Sequence, residues 1–144
     1  MTSAKTDSSI LEYLRAHRLG VLATSRKSGA PQQTLIAYNF NGADFVISTR
    51  TGNLKTTYMR RRPDVSLAVI DGRNQVIVYG KAQIIGDTDE VLAINLARLR
   101  NVGGRAGESD EEVAARLLRE ERVVIQITPE SYFPLSITPT AAAR

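Results

Sequence analysis

The side chains best suited to chemistry lie in one stretch, from Phe45 to Val69. There an apolar strand ends in the hydroxyl residues Ser48 and Thr49, and a short helical segment with Lys55 follows and stops before Pro63. The amides of a helix N-terminus and nearby cations attract anions, and hydroxyl groups donate further hydrogen bonds. The stretch therefore predicts a cradle for an anion, and a phosphate-bearing ligand fits it better than a neutral one.

The same residue types also occur in turns that bind nothing. Ser, Thr, Gly and Asn between a strand and a helix are common turn and cap residues. The run Arg60-Arg61-Arg62 is also favourable at the negative end of a helix dipole. From these residues alone, an anion site and an ordinary capped turn are both open interpretations.

Composition narrows the class of protein. A chain of 144 residues with 42% hydrophobic and 24% charged residues is expected to form one domain over residues 1–144, with flexible ends at 1–7 and 139–144. The net charge of +4 favours an anionic small ligand over nucleic acid. The lack of cysteine excludes disulfides and a cysteine nucleophile. With no apolar signal core or long apolar run, we expect a cytoplasmic protein without a membrane partner.

Side chains that perform acid, base or metal chemistry are scarce. His17 is the only histidine, it lies in the first predicted helix, and no Gly-x-Ser-x-Gly elbow accompanies it. The run Gly103 to Gly107 does not follow a strand, and the acidic run Glu108 to Glu112 is typical of a helix start. We therefore predict no catalytic side chain and no metal site, and we expect an organic cofactor to supply the chemistry.

The elements that must position a cofactor form an antiparallel pattern. Asn41-Gly42 and Asp71-Gly72 are hairpin signals that predict type I′ turns, and Gly80 within an apolar run predicts a bulge or a close backbone approach. Helices are predicted near residues 8–18, 55–62, 87–99 and 109–119. Strands are predicted at residues 19–23, 32–40, 44–48, 65–70, 75–85 and 122–127. Six such strands predict a mainly β fold, an antiparallel barrel with helical additions.

Several segments in this order carry a family resemblance: residues 19–25, 29–32, 47–49, 54–56, 60–67 and 78–82. Together they resemble the pyridoxamine 5′-phosphate oxidase-like superfamily of split β-barrels. Within it, the chain is similar to small flavin and deazaflavin oxidoreductases, especially those that use coenzyme F420. The resemblance implies a six-stranded FMN-binding split barrel, and a homodimer with two cofactors in grooves at the subunit interface.

The resemblance also implies three groups of cofactor-binding residues. The phosphate-binding group, a hydroxyl pair followed by a lysine in the next helix, falls on Ser48, Thr49 and Lys55. Leu54, beside the lysine, is also expected to contact the cofactor. The strand whose backbone meets the isoalloxazine ring falls on Gln33, Thr34, Leu35 and Ile36. The second subunit is expected to contribute residues near Val78 and Tyr79.

Two positions depart from the deazaflavin pattern. Members of that group often have an arginine two residues before the lysine and an asparagine three residues after it, where this chain has Asn53 and Tyr58. We keep Asn53 as a cofactor contact and expect Arg50 or Arg60 to supply the missing charge. Either arginine would also suit an acidic oligoglutamate tail, which FMN does not have.

The main functional hypothesis is an F420-dependent oxidoreductase that transfers a hydride between the deazaflavin and a small electron-poor organic substrate. Tyr38, Tyr58 and Tyr79 are candidates to shape the substrate face, or they simply pack within the barrel or the dimer interface. Two alternatives stay open: an FMN-dependent oxidoreductase of the same fold, and a non-catalytic carrier of F420 or flavin. Binding of nucleic acid through the three adjacent arginines is disfavoured, because adjacent residues spread around a helix.

Overall fold

The computed structural model describes residues 8–50, 54–85 and 107–135 of the chain. These ranges contain α1 (Ser8–Ala16), β1 (Leu19–Ser25), β2 (Pro31–Ala37), β3 (Asn39–Phe40), β4 (Phe45–Arg50), α2 (Leu54–Arg61), β5 (Asp64–Asp71), β6 (Asn74–Ile85), α3 (Asp110–Arg119) and β7 (Arg122–Leu135). The helix predicted over residues 87–99 and the predicted flexible ends lie outside the described residues. None of the three helices is long and apolar enough to span a membrane.

The seven strands form one antiparallel sheet in the order β2-β1-β5-β6-β7-β4-β3. Its two outermost strands, β2 and β3, are consecutive in the chain and are separated only by Tyr38. A flat sheet of seven strands would hold these two strands far apart, since neighbouring strands lie about 4.8 Å from each other. The sheet therefore curls until its two ends meet at Tyr38, which makes it a barrel.

The predicted count of six strands was wrong, because the segment from residue 32 to residue 40 is divided in two. The Tyr38 amide donates to the carbonyl of Arg18 at 2.8 Å, and the Tyr38 hydroxyl donates to the carbonyl of Leu14 at 2.7 Å. These bonds tie Tyr38 to the end of α1 and the turn after it. Beyond this residue the chain leaves β1 and pairs with β4.

The last strand also differs from its prediction, because β7 continues past Ile127 to Leu135. It does so by means of a bulge: β6 and β7 shift register between Tyr79 and Gly80. At Gly80, the carbonyl oxygen of Thr128 lies where a side chain would begin. Both features predicted from Gly80, a bulge and a close backbone approach, are therefore confirmed.

Both predicted hairpins form, but neither uses the type I′ turn. Between β3 and β4, the Asn41 side-chain oxygen accepts hydrogen bonds from the amides of Ala43 and Asp44 at 2.8 and 2.7 Å, and only Gly42 in this loop has a positive φ, of 95°. In the turn between β5 and β6, Gly72 has a φ of 61°, whereas the φ of Arg73 is negative. That combination belongs to a type II′ turn, which needs glycine only at its first central position.

A capping box begins α3, as its sequence predicted. The amide of Glu112 donates to the Ser109 hydroxyl, and the amide of Ser109 donates to the Glu112 carboxylate, each at 3.2 Å. Arg116 then binds Glu108 through two nitrogens, at 3.0 and 3.1 Å, and reaches Glu120 at 3.3 Å. These contacts fix the start and the end of the helix, which packs against β7.

The core lies inside the barrel, between the two shorter helices. We call the sheet face that carries the core the inner face, and the opposite one the outer face. Leu14 of α1 and Met59 of α2 join the core together with inner-face residues such as Phe45, Leu67 and Ile125. Because α2 connects the end of β4 to the start of β5, it lies across the end of the barrel where β1 and β4 finish, and α1 lies at the opposite end. We call the former the α2 end.

A pair of glycine substitutions tests the close approach in the bulge. In Gly80→Ala the new methyl group would meet the backbone oxygen of Thr128, whereas in Gly20→Ala its nearest neighbour would be the tip of the Leu67 side chain at 2.8 Å, with the Ala68 backbone oxygen at 3.1 Å. A paired strand cannot move as a side-chain tip can. We expect Gly80→Ala to lower the free energy of unfolding by about 1–3 kcal/mol, and Gly20→Ala by less. Urea unfolding measures both, and equal losses would contradict the bulge geometry.

Candidate functional site

An open seam runs along the barrel between β2 and β4. All six residues of β4 pair with the first half of β7 on one side. On its other side, β4 pairs with β3 only at Phe45 and Val46. Within the described residues, β2 pairs with β1 alone, and β2 and β4 approach each other. We call the gap between β2 and residues 47–50 of β4 the seam. Its two strand edges offer backbone hydrogen-bonding groups to a flat ligand.

The seam brings together two of the three groups expected from the sequence. Gln33, Thr34, Leu35 and Ile36 lie on β2 at one edge, and Ser48, Thr49 and Arg50 lie at the end of β4 at the other. Along β2, Leu35 is 67% exposed on the outer face, whereas Ile36 is buried in the core. Only the side chains of Gln33 and Leu35 therefore face outward, and the others reach a ligand at the seam through their backbone.

Strand alternation separates the two predicted hydroxyl groups. Thr49 is buried and shares the inner face with Phe45 and Ile47, whereas Ser48 and Arg50 lie on the outer face. One ligand on one face of the sheet cannot contact both side chains. The geometry thus divides the predicted phosphate motif into an outer part with Ser48 and an inner part with Thr49.

Arg122 joins the outer part, and the sequence analysis missed it. It is the first residue of β7 and the register partner of Arg50. Its Nε donates to the Ser48 hydroxyl at 2.9 Å, and its Nη2 reaches the Ser48 carbonyl oxygen at 3.5 Å. The only sequence signal was an arginine at the start of an apolar strand. Its distance from Ser48 along the chain concealed the contact, which requires the pairing of β4 with β7.

Lys55 belongs to the inner part. It is only 6% exposed on α2, next to Thr56, which is also buried. Burial lowers the pKa of the Lys55 amine, because its charged form loses contact with water. Lys55 is therefore largely shielded from water at the α2 end.

Buried polar groups gather at the α2 end of the barrel. Thr24 and Gln32 are register partners on β1 and β2, and the hydroxyl of Thr24 and the side-chain oxygen of Gln32 have no hydrogen-bond partner within the described residues. Thr49, Lys55 and Thr56 are buried at the same end. The described interior is thus polar beneath α2, while the core around Phe45 and Leu67 is apolar.

The remaining predicted cofactor contacts do not lie together at one place on the barrel. Val78 is fully buried in the core, so its side chain is enclosed, whereas Tyr79 is 44% exposed on the outer face. Arg60 is exposed on α2, and Leu54 is the first residue of that helix. Asn53 lies outside the described residues. The roles of these residues as cofactor contacts stay predictions.

The reactive side chains of Tyr38 and His17 make contacts that stabilise the fold. Tyr38 is buried against Phe45, with the ring centroids 5.2 Å apart, so it does not line an exposed substrate face. His17 stacks on Tyr13 at 4.2 Å, and its Nε2 lies 3.0 Å from Asp71. This histidine therefore attaches α1 to the β5–β6 hairpin at the end of the barrel opposite α2.

The outer part of the site fits an anionic group. Arg50 and Arg122 face each other on adjacent strands, where like charges are unfavourable without a counter-charge. The Ser48 hydroxyl accepts from Arg122 and keeps its own hydrogen to donate. Two guanidinium groups and a hydroxyl beside a strand edge could hold the phosphate of a cofactor whose ring lies along the seam.

The curled seven-stranded sheet with a seam at its edge defines a split β-barrel protein. The family model described as pyridoxamine 5′-phosphate oxidase matches residues 6–135. The chain belongs to the pyridoxamine 5′-phosphate oxidase family.

Solved structures share this fold. A conserved hypothetical protein from Mycobacterium tuberculosis is 23% identical, with a TM-score of 0.71 over 96% of this chain and 89% of that one. A protein described as an F420 reductase is also 23% identical, with a TM-score of 0.59 over 85% and 94% of the two chains. A FAD-binding protein from Mesorhizobium loti is 21% identical, with a TM-score of 0.63 over 91% and 93%. These likenesses establish a common fold.

The burial of Lys55 predicts a pH-dependent stability. Its pKa in the folded protein lies below the usual value of 10.5, so between those two values the unfolded chain binds more protons than the folded one. The penalty for the buried charge is therefore complete below the folded pKa and disappears as the pH rises towards 10.5. We expect the wild-type protein to gain stability relative to Lys55→Met as the pH is raised from neutral.

Urea unfolding of both proteins at a series of pH values measures this difference. Lys27→Met, which removes an exposed lysine from the β1–β2 turn, is the control for the loss of one positive charge. A difference between wild type and Lys55→Met that does not change with pH would contradict the burial of the charge.

Proposed function

We propose that this protein is an F420-dependent oxidoreductase, which transfers a hydride between the deazaflavin and a small electron-poor organic substrate. The observation that carries the proposal is the seam. It offers two strand edges to a flat ring, and at one end it has a cluster of cations and a hydroxyl group on the outer face. A ligand with an aromatic ring and a phosphate matches that combination.

Family membership and fold support the proposal. The family is named for an oxidase of a phosphorylated substrate, and one structural neighbour is described as an F420 reductase. Another neighbour is described as FAD-binding. An FMN-dependent oxidoreductase is therefore the second candidate, because the same seam and cations suit a flavin phosphate.

The protein's own contribution would be binding and orientation. When bound, the deazaflavin supplies the hydride chemistry. The backbone of Gln33 to Ile36 would fix the edge of its ring, and Arg50 and Ser48 would hold its phosphate. Holding donor and acceptor in contact reduces the entropic part of the barrier, and positive charge stabilises negative charge that develops on the acceptor.

Titration of the purified protein with F420 and with FMN tests this function. We expect quenching of F420 fluorescence at lower ligand concentration than any change in FMN fluorescence. We also expect turnover of reduced F420 with a panel of quinones, enones and tetrapyrroles. A purified protein that is yellow and releases flavin on denaturation would replace F420 with FMN. Binding of F420 without oxidation of it by any acceptor would instead identify a carrier.

We also propose that two copies of the chain form a homodimer through the outer face. A row of apolar residues crosses five adjacent strands there, each the register partner of the next: Leu35, Val21, Ala68, Ile77 and Phe133. The two ends of the row, Leu35 and Phe133, are 67% and 49% exposed. Tyr79, Leu19 and Ile70 are exposed on the same face.

Contiguous exposed apolar surface of this kind is typical of interfaces. A second copy suits it because a single two-fold axis buries the same row on both subunits. Since Leu35 lies on β2 at the seam, such a partner would also cover the ring of a cofactor bound there. The substrate and the cofactor would then lie between subunits.

Phe133→Asp tests the dimer. A charge within an apolar interface loses its hydration, so we expect the variant to dissociate. Sedimentation velocity should give twice the chain mass of 15.8 kDa for the wild type and a single chain mass for the variant. Ala43→Asp, in the exposed β3–β4 loop, is the matched control and should stay dimeric. A dimeric Phe133→Asp, or a monomeric wild type, would exclude this interface.

A further inference from the structure

His17 is the single histidine of the chain, and it joins two elements at the end of the barrel opposite α2. We propose that His17 is a pH switch: as a doubly protonated imidazolium it attaches the end of α1 to the β5–β6 hairpin, and this attachment is lost when the pH rises. The residues of the proposed function lie along the seam, so the switch does not depend on that function.

Both ring nitrogens of His17 face oxygen atoms that only accept hydrogen bonds. Nδ1 lies 2.7 Å from the carbonyl oxygen of Tyr13, and Nε2 lies 3.0 Å from a carboxylate oxygen of Asp71. A neutral imidazole carries one N–H group, so either tautomer would place the lone pair of one nitrogen against an oxygen. The imidazolium carries two N–H groups and donates to both oxygens. The contacts of the ring are therefore complete only in the charged form.

A positive charge is favourable at both contacts. Because α1 ends at Ala16, the carbonyl of Tyr13 belongs to its last turn, where the negative end of the helix dipole favours a cation. The Asp71 carboxylate supplies the opposite charge, but its side chain is 65% exposed, so this ion pair alone contributes little. The Tyr13 ring stacks on the imidazole, with the centroids 4.2 Å apart, and fixes its orientation.

In the described part of the chain, no neighbouring arginine competes with His17 for Asp71. The guanidinium group of Arg15 lies over the Phe40 ring, 6.0 Å from its centroid, and that of Arg18 donates to Asn39 at 3.1 Å. Both of these contacts are with β3. Arg73, in the β5–β6 turn, forms no ion pair with the carboxylate. The imidazole is therefore the cation that the carboxylate contacts.

His17 is also the group of this contact that changes its charge near neutral pH. A free imidazole loses its proton at about pH 6.5, where aspartate is already ionised. Burial, and then the charge of Asp71, raise the pKa of the Tyr13 hydroxyl above its usual value, so it keeps its proton and its contacts with the carbonyl oxygens of Val69 and Asn74. Loss of the His17 proton therefore removes one attachment of α1 to the hairpin and leaves the other in place.

The stability that His17 contributes falls as the pH rises past neutrality. Both acceptors are in place only in the folded protein, so near neutral pH the folded protein binds more protons at this ring than the unfolded chain does. The contribution is complete at a pH low enough to protonate the imidazole in the unfolded chain. It disappears once the imidazole of the folded protein has lost its proton.

Urea unfolding of the wild type and of His17→Gln, at one protein concentration and at about pH 5.5 and about pH 8.5, tests the switch. At the lower pH, we expect the unfolding equilibrium constant of the variant to exceed that of the wild type by about 3- to 10-fold, and at the higher pH we expect them to be nearly equal. The N-terminal amine and Lys55 occur in both proteins, so their titration cancels. A difference that does not depend on pH, or no difference at all, would overturn the proposal.

Asp71→Asn, alone and combined with His17→Gln, tests the partner on the hairpin. Asparagine keeps the size of the side chain and removes its charge. We expect a coupling between the two positions of about 2- to 5-fold in the unfolding equilibrium constant at the lower pH, and none at the higher pH. A coupling of the same size at both pH values would show that the contact does not depend on the imidazolium.

Hydrogen exchange of the wild type alone provides a test that requires no variant to fold. The amides of α1 are compared with those of β6 at the same two pH values, each corrected for its intrinsic exchange rate. We expect the protection of the α1 amides to fall by about 3- to 10-fold relative to β6 as the pH is raised, because α1 opens more often without its contact to the hairpin. Protection of α1 that is the same at both pH values would contradict the switch.

Discussion

The position of Tyr38 is the constraint on which the barrel depends. One residue separates two strands that occupy opposite ends of the sheet, so the sheet can exist only in a curled form. The Tyr38 amide and hydroxyl bind Arg18 and Leu14, which attaches this junction to α1. Burial raises the pKa of the Tyr38 hydroxyl above its usual value, which favours the protonated form that donates to Leu14. The curled form of the sheet and the attachment of its two ends to α1 follow from this junction.

The seam is open because β3 is short. It covers β4 at two residues only, and from Ile47 to Arg50 the edge faces β2 with no ladder between them in the described part of the chain. A complete barrel would have paired these groups with each other and left nothing for a ligand. The same incomplete closure places Ser48 and Arg50 beside the Gln33–Ile36 edge. Arg122 reaches them only because β7 continues the sheet on the other side of β4.

The two faces of the sheet have different chemistry at the α2 end. The outer face carries the arginines and the apolar row proposed as a dimer interface, whereas the inner face holds Thr24, Thr49 and Lys55 in a buried polar region. A buried amine destabilises the fold unless it has partners, and protein cores usually exclude such groups. Its presence there, together with the Gln32 oxygen that has no hydrogen-bond partner within the described residues, distinguishes this end from the apolar interior around Phe45 and Leu67.

Local patterns in the sequence were sufficient for the fold class, both hairpins, the Gly80 bulge and the α3 capping box, because each of these depends on residues close together in the chain. The motif from Ser48 to Lys55 was also visible, and so was the expectation of a bound cofactor. The division at Tyr38, the turn types and the contact of Arg122 with Ser48 were decided only by tertiary structure. Whether residue 38 continues a strand depends on α1, and whether Arg122 meets Ser48 depends on a strand pairing across 74 residues. Strand alternation then separated Ser48 from Thr49, since neighbours in sequence occupy opposite faces once a sheet encloses a core.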